Sequence, residues 1–297
     1  MNPSIAFLLL AASLPPALSA QPGLQKQITK IASDAQGKVS VSCLLPGTPL
    51  ACDLNPRAHP PMQSVFKFPL VLTVLHAVET GAFTLDQPIR FRASDRILPQ
   101  TYSPLQDKYP NAEVDVPLRE LLQLAVGLSD NAAAEVLLRI AGGPKGVDDY
   151  IHSLGVSGFH LQDGEATMHR DVSAQYRNWW EPAAAVRLLR LLSDHSPLSA
   201  DHTRLLLGWM TATPTGAKRI KANLPDGTAV AHKTGTSGTD KGLNHATNDV
   251  GLVKLPDGRE LAIAVFITDS TADEPARESV IARIAQAIYE SAIGAAK

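Results

Sequence analysis

The stretch PPMQSVFKFP, residues 60–69, places a serine and a lysine one helical turn apart in an apolar run. The apolar spacing that follows predicts a helix starting at Ser64. Positions i and i+3 share one face of a helix, so the ammonium group of Lys67 can reach the hydroxyl group of Ser64. Pro69 lies inside this predicted helix and lacks a backbone donor, so we expect a kink or local irregularity there. The ordinary alternative is an N-cap serine followed by a solvated lysine.

Strand patterns lie at both ends of the chain, and helical patterns fill its middle. The predicted strands are 38–45, 49–55, 228–234, 249–255 and 260–268. The predicted helices are 22–33, the one starting at Ser64, 116–127, 131–141, 182–192, 201–210 and 274–292. This order predicts an α/β fold of the α+β type, in which terminal helices flank an antiparallel sheet and an all-α subdomain is inserted.

The same pattern predicts the domain organisation. Residues 21–63 and 211–297 would form an α/β subdomain, and residues 64–210 an all-helical subdomain. The helical part includes residues 155–180, which lack periodicity and are predicted to form a long structured loop; such loops are usually functional. We expect the site in the cleft between the two subdomains.

Residues 1–20 carry no charged side chain and are predicted to be a secretory signal peptide. The apolar run Ile5–Leu14 is too short to span a bilayer. The small residues Ala17, Ser19 and Ala20 suggest cleavage near residues 19–21. The alternative is a buried N-terminal helix. With the leader removed, we expect an exported, soluble, periplasmic monomer.

Composition excludes several classes of protein. The formal net charge is −2, and acidic and basic residues are mixed along the chain, so neither a nucleic-acid partner nor a membrane-surface helix is indicated. The nine histidines form no metal-binding motif, and no phosphate-binding loop is present. No cofactor and no metal is implied.

The two cysteines, Cys43 and Cys52, lie on two predicted strands joined by a turn. A hairpin centred between Gly47 and Thr48 would place them opposite each other. A disulfide is then plausible in an oxidising compartment. Two free buried thiols remain the alternative.

Two more motifs change the meaning of the Ser64–Lys67 pair. Ser129-Asp130-Asn131 lies at the junction of two predicted helices, and Lys233-Thr234-Gly235 ends a predicted strand. Three such motifs in this order, each in the expected structural context, are a strong signal.

This set resembles the class A β-lactamases and the penicillin-binding proteins. The resemblance covers about residues 22–295. The stretches around Gln63-Ser64, EATMH (residues 165–169) and HKTGTSG (residues 232–238) look most like the PER-type extended-spectrum branch of class A. The resemblance implies the β-lactamase/DD-peptidase-like fold.

The resemblance also implies catalytic roles. Ser64 would be the nucleophile, with Lys67 as its proton acceptor. The backbone N–H groups of Ser64 and Thr236 would form the oxyanion hole. Ser129 would relay a proton to the departing lactam nitrogen, and Glu165 would be the base that activates water for deacylation.

Further residues would bind the substrate. Lys233, Thr234 and Thr236 would hold its carboxylate, with a hydroxyl from Ser237 added at the strand edge. Asn131 would donate to its side-chain amide, Tyr102 would form an aromatic wall, Arg219 would anchor the carboxylate, and His169 would flank the hydrolytic water. For three of these an ordinary role is open: packing for Tyr102, structure for His169, and a basic surface position for Arg219.

The chain departs from the family pattern in its long loop. Most class A enzymes have Arg-x-Glu-Pro-x-x-Asn there, with the arginine paired to a later aspartate. Here the stretch is DGEATMH, residues 163–169, and Asn178 replaces the aspartate. We therefore expect that salt bridge to be absent and the cleft to be wider. The arginine that many members carry on the following strand is also absent, since that position is Val250.

The expected function is hydrolysis of penicillins and cephalosporins, including oxyimino cephalosporins, through a serine acyl-enzyme, with antibiotic resistance as its consequence. A penicillin-binding DD-peptidase is the first alternative, disfavoured by Glu165. A β-lactam receptor domain that stays acylated is the second, disfavoured because no transmembrane transducer is evident.

Overall fold

The computed structural model describes residues 22–294. The predicted signal peptide lies outside the described residues. Within that range, none of the helices is both long and apolar enough to cross a membrane.

The helices and strands follow the predicted order closely. The helices are α1 (Pro22–Ala32), α2 (Lys67–Glu79), α3 (Pro104–Lys108), α4 (Leu118–Gly127), α5 (Asn131–Ile140), α6 (Gly143–Ser153), α7 (Glu165–Arg170), α8 (Pro182–Asp194), α9 (Ala200–Thr211) and α10 (Glu274–Gly294). The strands are β1 (Lys38–Leu44), β2 (Pro88–Phe91), β3 (Val114–Pro117), β4 (Phe159–His160), β5 (Trp179–Trp180), β6 (Val230–Thr236), β7 (Thr239–Asp240), β8 (Leu243–Asn244), β9 (Thr247–Lys254) and β10 (Glu260–Thr268).

The main sheet is antiparallel, with strand order β1-β10-β9-β6, which confirms the predicted fold class. Both of its faces are buried. Alternate residues such as Val41 and Val265 pack with α1 and α10 in one core, while Ala264 and Phe266 point into the core formed by the helical middle of the chain. Both terminal helices therefore cover the same face, and α8 packs on the opposite one.

Helix α2 lies at the centre of the helical part. Residues 67–75 are all buried, which explains why its sequence is apolar all round rather than amphipathic. The segment 64–210 is not all-helical as predicted, because it also contains the strand pairs β2–β3 and β4–β5.

The helical part differs from the prediction at three places, each for a local reason. The helix predicted from Val116 starts at Leu118, because Val116 precedes a proline, which favours extended backbone, and pairs with Ile89. Helix α6 was not predicted; Gly142, at φ +83°, ends α5 and Pro144 starts the next helix at once. Pro69 lies in the first turn of α2, so the expected irregularity takes the form of a 3-10 turn over Gln63–Phe66.

Residues 49–55 do not form the second strand of a hairpin. Only isolated bridges join Leu54 to Val41 and Thr48 to Leu45, since Pro49 offers no backbone donor. The turn nevertheless brings Cys43 and Cys52 together, and a disulfide joins them in the structure.

Candidate active site

Ser64 lies in the 3-10 turn that precedes α2, held tightly against the sheet. The side-chain amide of Asn248 on β9 donates to the carbonyl oxygens of Pro61 (2.9 Å) and Met62 (3.2 Å). Strand β6 approaches from the same side; a Cβ atom on Gly235 would lie 2.5 Å from the Met62 carbonyl oxygen. Only glycine allows this close approach, which explains the third residue of the Lys-Thr-Gly motif.

Lys67 is fully buried, and its ammonium group contacts four oxygen atoms. Its Nζ atom lies 2.8 Å from Oγ of Ser64 and 3.0 Å from the carbonyl oxygen of Ser129. It also contacts Oδ1 of Asn131, and it lies 2.8 Å from Oε1 of Glu165. A buried lysine is tolerated only when its charge is matched in this way. The solvated-lysine alternative is therefore wrong.

The Ser129-Asp130-Asn131 junction is shaped by Asp130, which is completely buried. Its carboxylate caps α5 by accepting from the amide of Ala133 (2.9 Å), and it also accepts from the hydroxyl of Ser103 (2.7 Å). Ser129 adopts the left-handed region at φ +60°. Asp130 thus fixes both the turn that exposes Ser129 and the segment that carries Tyr102.

Tyr102 lies at the rim of the site with 58% of its surface exposed. Its carbonyl oxygen accepts from the side-chain amide of Asn131 (3.0 Å). An aromatic ring this exposed contributes little to the core, so the packing alternative is not supported.

Lys233 is the second buried lysine of the site. Its Nζ atom donates to Oγ of Ser129 (2.9 Å) and to the carbonyl oxygen of Thr234 (2.8 Å). Burial, aided by the nearby charge of Lys67, holds the pKa of Lys233 well below its ordinary value. Thr234 is held in turn by the hydroxyl of Thr215 (3.0 Å). Val250 lies directly opposite Lys233 on β9.

Arg219 is not a surface residue. It is 4% exposed and pairs with Glu278 (Nε–Oε1 3.1 Å). Its Nη1 atom donates to two backbone carbonyls, including that of Gly235, and its Nη2 atom donates to the hydroxyl of Thr236 (2.8 Å). Arg219 therefore lies behind the end of β6 and orients the Thr236 hydroxyl.

Ser237 differs from its predicted role. Its hydroxyl donates to the carbonyl oxygen of Gly238 (2.8 Å) and accepts from the amides of His245 and Ala246 (3.0 Å each). The hydroxyl is used to fold back the chain after β6, so it is not directed to a substrate.

Glu165 starts the short helix α7 and is 2% exposed. Beneath this helix, Oε1 of Glu135 on α5 accepts from the amide of Ala166 (2.7 Å). Burial raises the pKa of Glu135, although the bond from Ala166 opposes that shift. Nδ1 of His169 lies 2.7 Å from the carbonyl oxygen of Glu165 and 3.6 Å from its Oε2 atom. His169 therefore flanks the Glu165 carboxylate.

The neck of this loop is closed by a salt bridge that the sequence analysis did not foresee. Nε of Arg177 lies 2.7 Å from Oδ2 of Asp163. Beside it, buried Asn178 accepts from the amides of Gln162 and Asp163 and donates to the Asp163 carbonyl oxygen (2.8 Å). In most class A enzymes the arginine comes first in the sequence and the aspartate later. Here the aspartate, Asp163, comes first, and the arginine, Arg177, lies one position before Asn178. The expectation of an unclamped loop is wrong.

Between this loop and the hairpin β7–β8 lies a cavity of about 250 Å³, which continues the cleft beyond Thr236. Its lining includes Gln63, Met168, His169 and Asp240. No group of three or more His, Cys, Asp or Glu side chains in residues 22–294 is arranged to hold a metal ion.

Sequence reasoning missed several positioning residues, namely Asp130, Glu135, Arg177, Thr215 and Asn248. Asp130 could have been found as the N-cap of the helix that starts at Asn131. For the others, no local pattern distinguishes them from ordinary polar residues, because their partners are distant in the chain.

The comparison with known proteins agrees with this geometry. The family described as the β-lactamase enzyme family matches residues 22–292. The chain belongs to this family. It is 40% identical to the extended-spectrum β-lactamase PER-1 of Pseudomonas aeruginosa over 269 residues, which is 91% of this chain and 87% of the relative.

Solved structures give the class of the enzyme. The crystal structure of the TLA-1 extended-spectrum β-lactamase has a TM-score of 0.89 and 38% identity, covering 93% of this chain and 100% of that one. A class A β-lactamase from Bacteroides cellulosilyticus has a TM-score of 0.85 and 33% identity, covering 91% and 97%. The chain is thus a class A serine β-lactamase, a hydrolase.

Proposed function

We propose that this β-lactamase hydrolyses penicillins and cephalosporins, including oxyimino cephalosporins, through an acyl-enzyme on Ser64. One observation carries the proposal. The Nζ atom of Lys67 lies 2.8 Å from Oγ of Ser64 and 2.8 Å from Oε1 of Glu165. A nucleophile and a carboxylate base are joined through one buried ammonium group.

Acylation follows from these contacts. Lys67 passes a proton to Glu165 and accepts the proton of Ser64 as its oxygen attacks the lactam carbonyl carbon. The backbone N–H groups of Ser64 and Thr236 stabilise the oxyanion. The C–N bond then breaks, and the Ser129 hydroxyl, held by Lys233, gives its proton to the departing nitrogen. Lys67 then gives a proton back to Ser129 and recovers its own from Glu165, which leaves Glu165 ionised.

Deacylation uses Glu165 a second time. Its carboxylate takes a proton from water, which attacks the ester carbonyl and releases Ser64. His169 supports this step because it contacts the backbone and the carboxylate of Glu165. The same carboxylate argues against the DD-peptidase, which usually lacks a deacylating glutamate, and against a receptor that remains acylated, which needs no base for water.

Substrate binding is divided between the two walls of the cleft. The side chains of Lys233, Thr234 and Thr236 face the substrate carboxylate, and Arg219 acts behind them by orienting Thr236. Asn131 and Tyr102 lie on the opposite wall, where the substrate's side-chain amide would be bound. The printed names of PER-1 and TLA-1 as extended-spectrum enzymes support the inclusion of oxyimino cephalosporins.

We also propose export through residues 1–20 to the periplasm, where hydrolysis would confer resistance, and function as a monomer. The subdomain limits at residues 63–64 and 210–211 belong to the same proposal.

Turnover of a chromogenic cephalosporin tests the proposed function. We expect many turnovers per molecule for the wild-type protein, and neither turnover nor a covalent adduct for Ser64→Ala. The exposed variant Ser153→Ala is the control and should behave as wild type. A single burst without further turnover would favour the receptor or the DD-peptidase, and turnover by Ser64→Ala would remove the nucleophile assignment.

A further inference from the structure

Three polar side chains join the loop to the hairpin beside the 250 Å³ cavity, and one of them, His245, lines that cavity. Tyr176 lies near the end of the Glu165 loop, and its hydroxyl contacts Oδ1 of Asp269 and Nδ1 of His245 (2.7 Å). His245 follows the hairpin β7–β8, and Asp269 follows β10. Sequence analysis assigned no role to any of them.

The number of protons that each group carries determines the direction of these hydrogen bonds. The Tyr176 hydroxyl has one proton, which it donates to the Asp269 carboxylate, an obligate acceptor. The Nδ1 atom of His245 must then carry a proton and donate it to the Tyr176 oxygen. Nζ of Lys38 holds the Asp269 carboxylate from the other side at 3.1 Å. The Tyr176 hydroxyl and the Asp269 carboxylate are therefore satisfied, whereas Nε2 of His245 is buried without a partner in the described structure.

The hairpin β7–β8 is also hydrogen-bonded to the chain next to Asp269. Backbone hydrogen bonds between Asn244 and Ser270, at 2.9 and 2.8 Å, fasten the end of the hairpin to the residue after Asp269. Asp269 itself adopts the left-handed region at φ +53°, which turns its side chain out of the strand direction. Loop, hairpin and sheet meet at this one carboxylate.

Packing alone does not hold the loop wall here. Tyr176 and Asp269 line a neighbouring cavity of about 580 Å³, formed with residues such as Arg57 and Pro60. Tyr176 is 40% exposed, and its ring contacts that of His245 edge-on, with 5.8 Å between the ring centroids. The two hydrogen bonds of its hydroxyl therefore contribute to holding its position.

We propose that Tyr176, His245 and Asp269 form a latch that fixes the separation of the loop from the hairpin and so selects the side chain of the substrate. The inference rests on the proposed function only in assigning the cavity to the acylamido side chain of a β-lactam. The loop wall of the cavity includes Met168, Val172 and Gln175, and the hairpin wall includes Thr239 and Asp240. A bulky oxyimino group would contact both walls, whereas a small penicillin side chain would not reach across.

The test compares Tyr176→Phe with Tyr150→Phe. The Tyr150 hydroxyl is buried without a partner in the described structure, so its removal breaks no hydrogen bond. In the free enzyme, we expect Tyr176→Phe to increase hydrogen exchange about fivefold in residues 172–178 and 238–245, as for the loss of one hydrogen bond. We also expect kcat/KM for an oxyimino cephalosporin, relative to a small penicillin, to fall about fivefold. Tyr150→Phe should change neither.

His245→Gln, which removes the other bond of the hydroxyl, should reproduce both effects if Tyr176→Phe does not fold. Unchanged exchange in both folded variants would overturn the latch, and increased exchange with an unchanged substrate ratio would overturn its role in selectivity. The exchange measurement does not depend on catalysis. A wild-type protein without β-lactam turnover would therefore contradict the proposed function while leaving the latch itself measurable.

Discussion

The Nζ atom of Lys67 lies 2.8 Å from the Oε1 atom of Glu165, and both side chains are almost completely buried. The contact joins helix α2 to the loop that follows α6, far apart in the sequence. An isolated buried charge is costly, so each of these two residues stabilises the other in place. In the proposed mechanism, this pair would provide one proton path for both acylation and deacylation.

Glu165→Ala should separate the two halves of the reaction. The variant is expected to acylate more slowly, because Lys67 loses the carboxylate that takes its proton, and to lose more in deacylation, which should slow about 100- to 10,000-fold without the base for water. Mass spectrometry after brief exposure to a cephalosporin should show a lasting adduct. The exposed Glu290→Ala variant is the control. Failure to acylate, or clearance of the adduct at the wild-type rate, would assign Glu165 another role.

Arg219→Ala should weaken binding of the substrate carboxylate through Thr236. We expect KM to rise, with a loss of about 1–3 kcal/mol for a charge-assisted hydrogen bond. The melting temperature should also fall, because Glu278 loses its partner in a largely buried position. Lys218→Ala, which changes the exposed neighbouring cation, should leave both quantities unchanged. Kinetics like those of wild type would limit Arg219 to a structural role.

Glu135→Gln should make stability less dependent on pH. The raised pKa of Glu135 means that the folded protein holds this proton more tightly than the unfolded chain. Stability is therefore lost as pH rises from the ordinary glutamate range, about 4.3, through the raised folded value. Other carboxylates near this group are those of Glu165 and Asp95. The side-chain amide of the Gln variant does not titrate, so this loss of stability does not occur. Its oxygen atom can still accept the hydrogen bond from the backbone amide of Ala166.

Thermal unfolding between pH 4 and pH 8 measures the effect. The difference in melting temperature between Glu135→Gln and wild type should be near zero at the acid end. It should increase in favour of the variant as the pH rises. Glu290→Gln is the surface control. A difference that stays constant with pH would show that Glu135 does not titrate in this range.

The substrate range follows from the cavity between the loop and the hairpin. We predict that cefotaxime- or ceftazidime-like compounds are hydrolysed with kcat/KM within about tenfold of a simple penicillin, which is about 1.4 kcal/mol. Steady-state kinetics on both classes measures this ratio. A penicillin preference of about a thousandfold would indicate a narrow penicillinase, with the β-lactamase assignment intact.

The loop neck is closed, so a missing clamp does not widen the cleft. Sequence reasoning derived a wide cleft from a missing loop clamp, but Asp163 and Arg177 supply a clamp of reversed polarity. A cavity of about 250 Å³ lies instead between the loop and the hairpin β7–β8, which begins three residues after Thr236. A salt bridge across a loop neck needs two opposite charges, but either charge can come first in the sequence. A search for the usual arginine therefore could not find this reversed pair.

The fold class, and the candidate residues of the reaction centre, could be predicted from the sequence. Periodicity located the sheet strands at both chain ends. The motifs containing Ser64, Ser129 and Lys233 marked the chemistry, because a nucleophile and its proton-transfer partners need particular residue types at short spacings. These are local properties, which a linear pattern can carry.

The side chains that support that centre became visible only when the folded chain brought distant segments together. Lys67 and Glu165, Arg219 and Thr236, and Tyr176 and Asp269 each meet across long stretches of chain. Their distances depend on how the loop, the hairpin and the sheet pack together. The same packing turned the Ser237 hydroxyl into its own backbone and Arg219 behind β6. Burial and hydrogen-bond satisfaction fix these orientations, and both are properties of the assembled core rather than of any short segment.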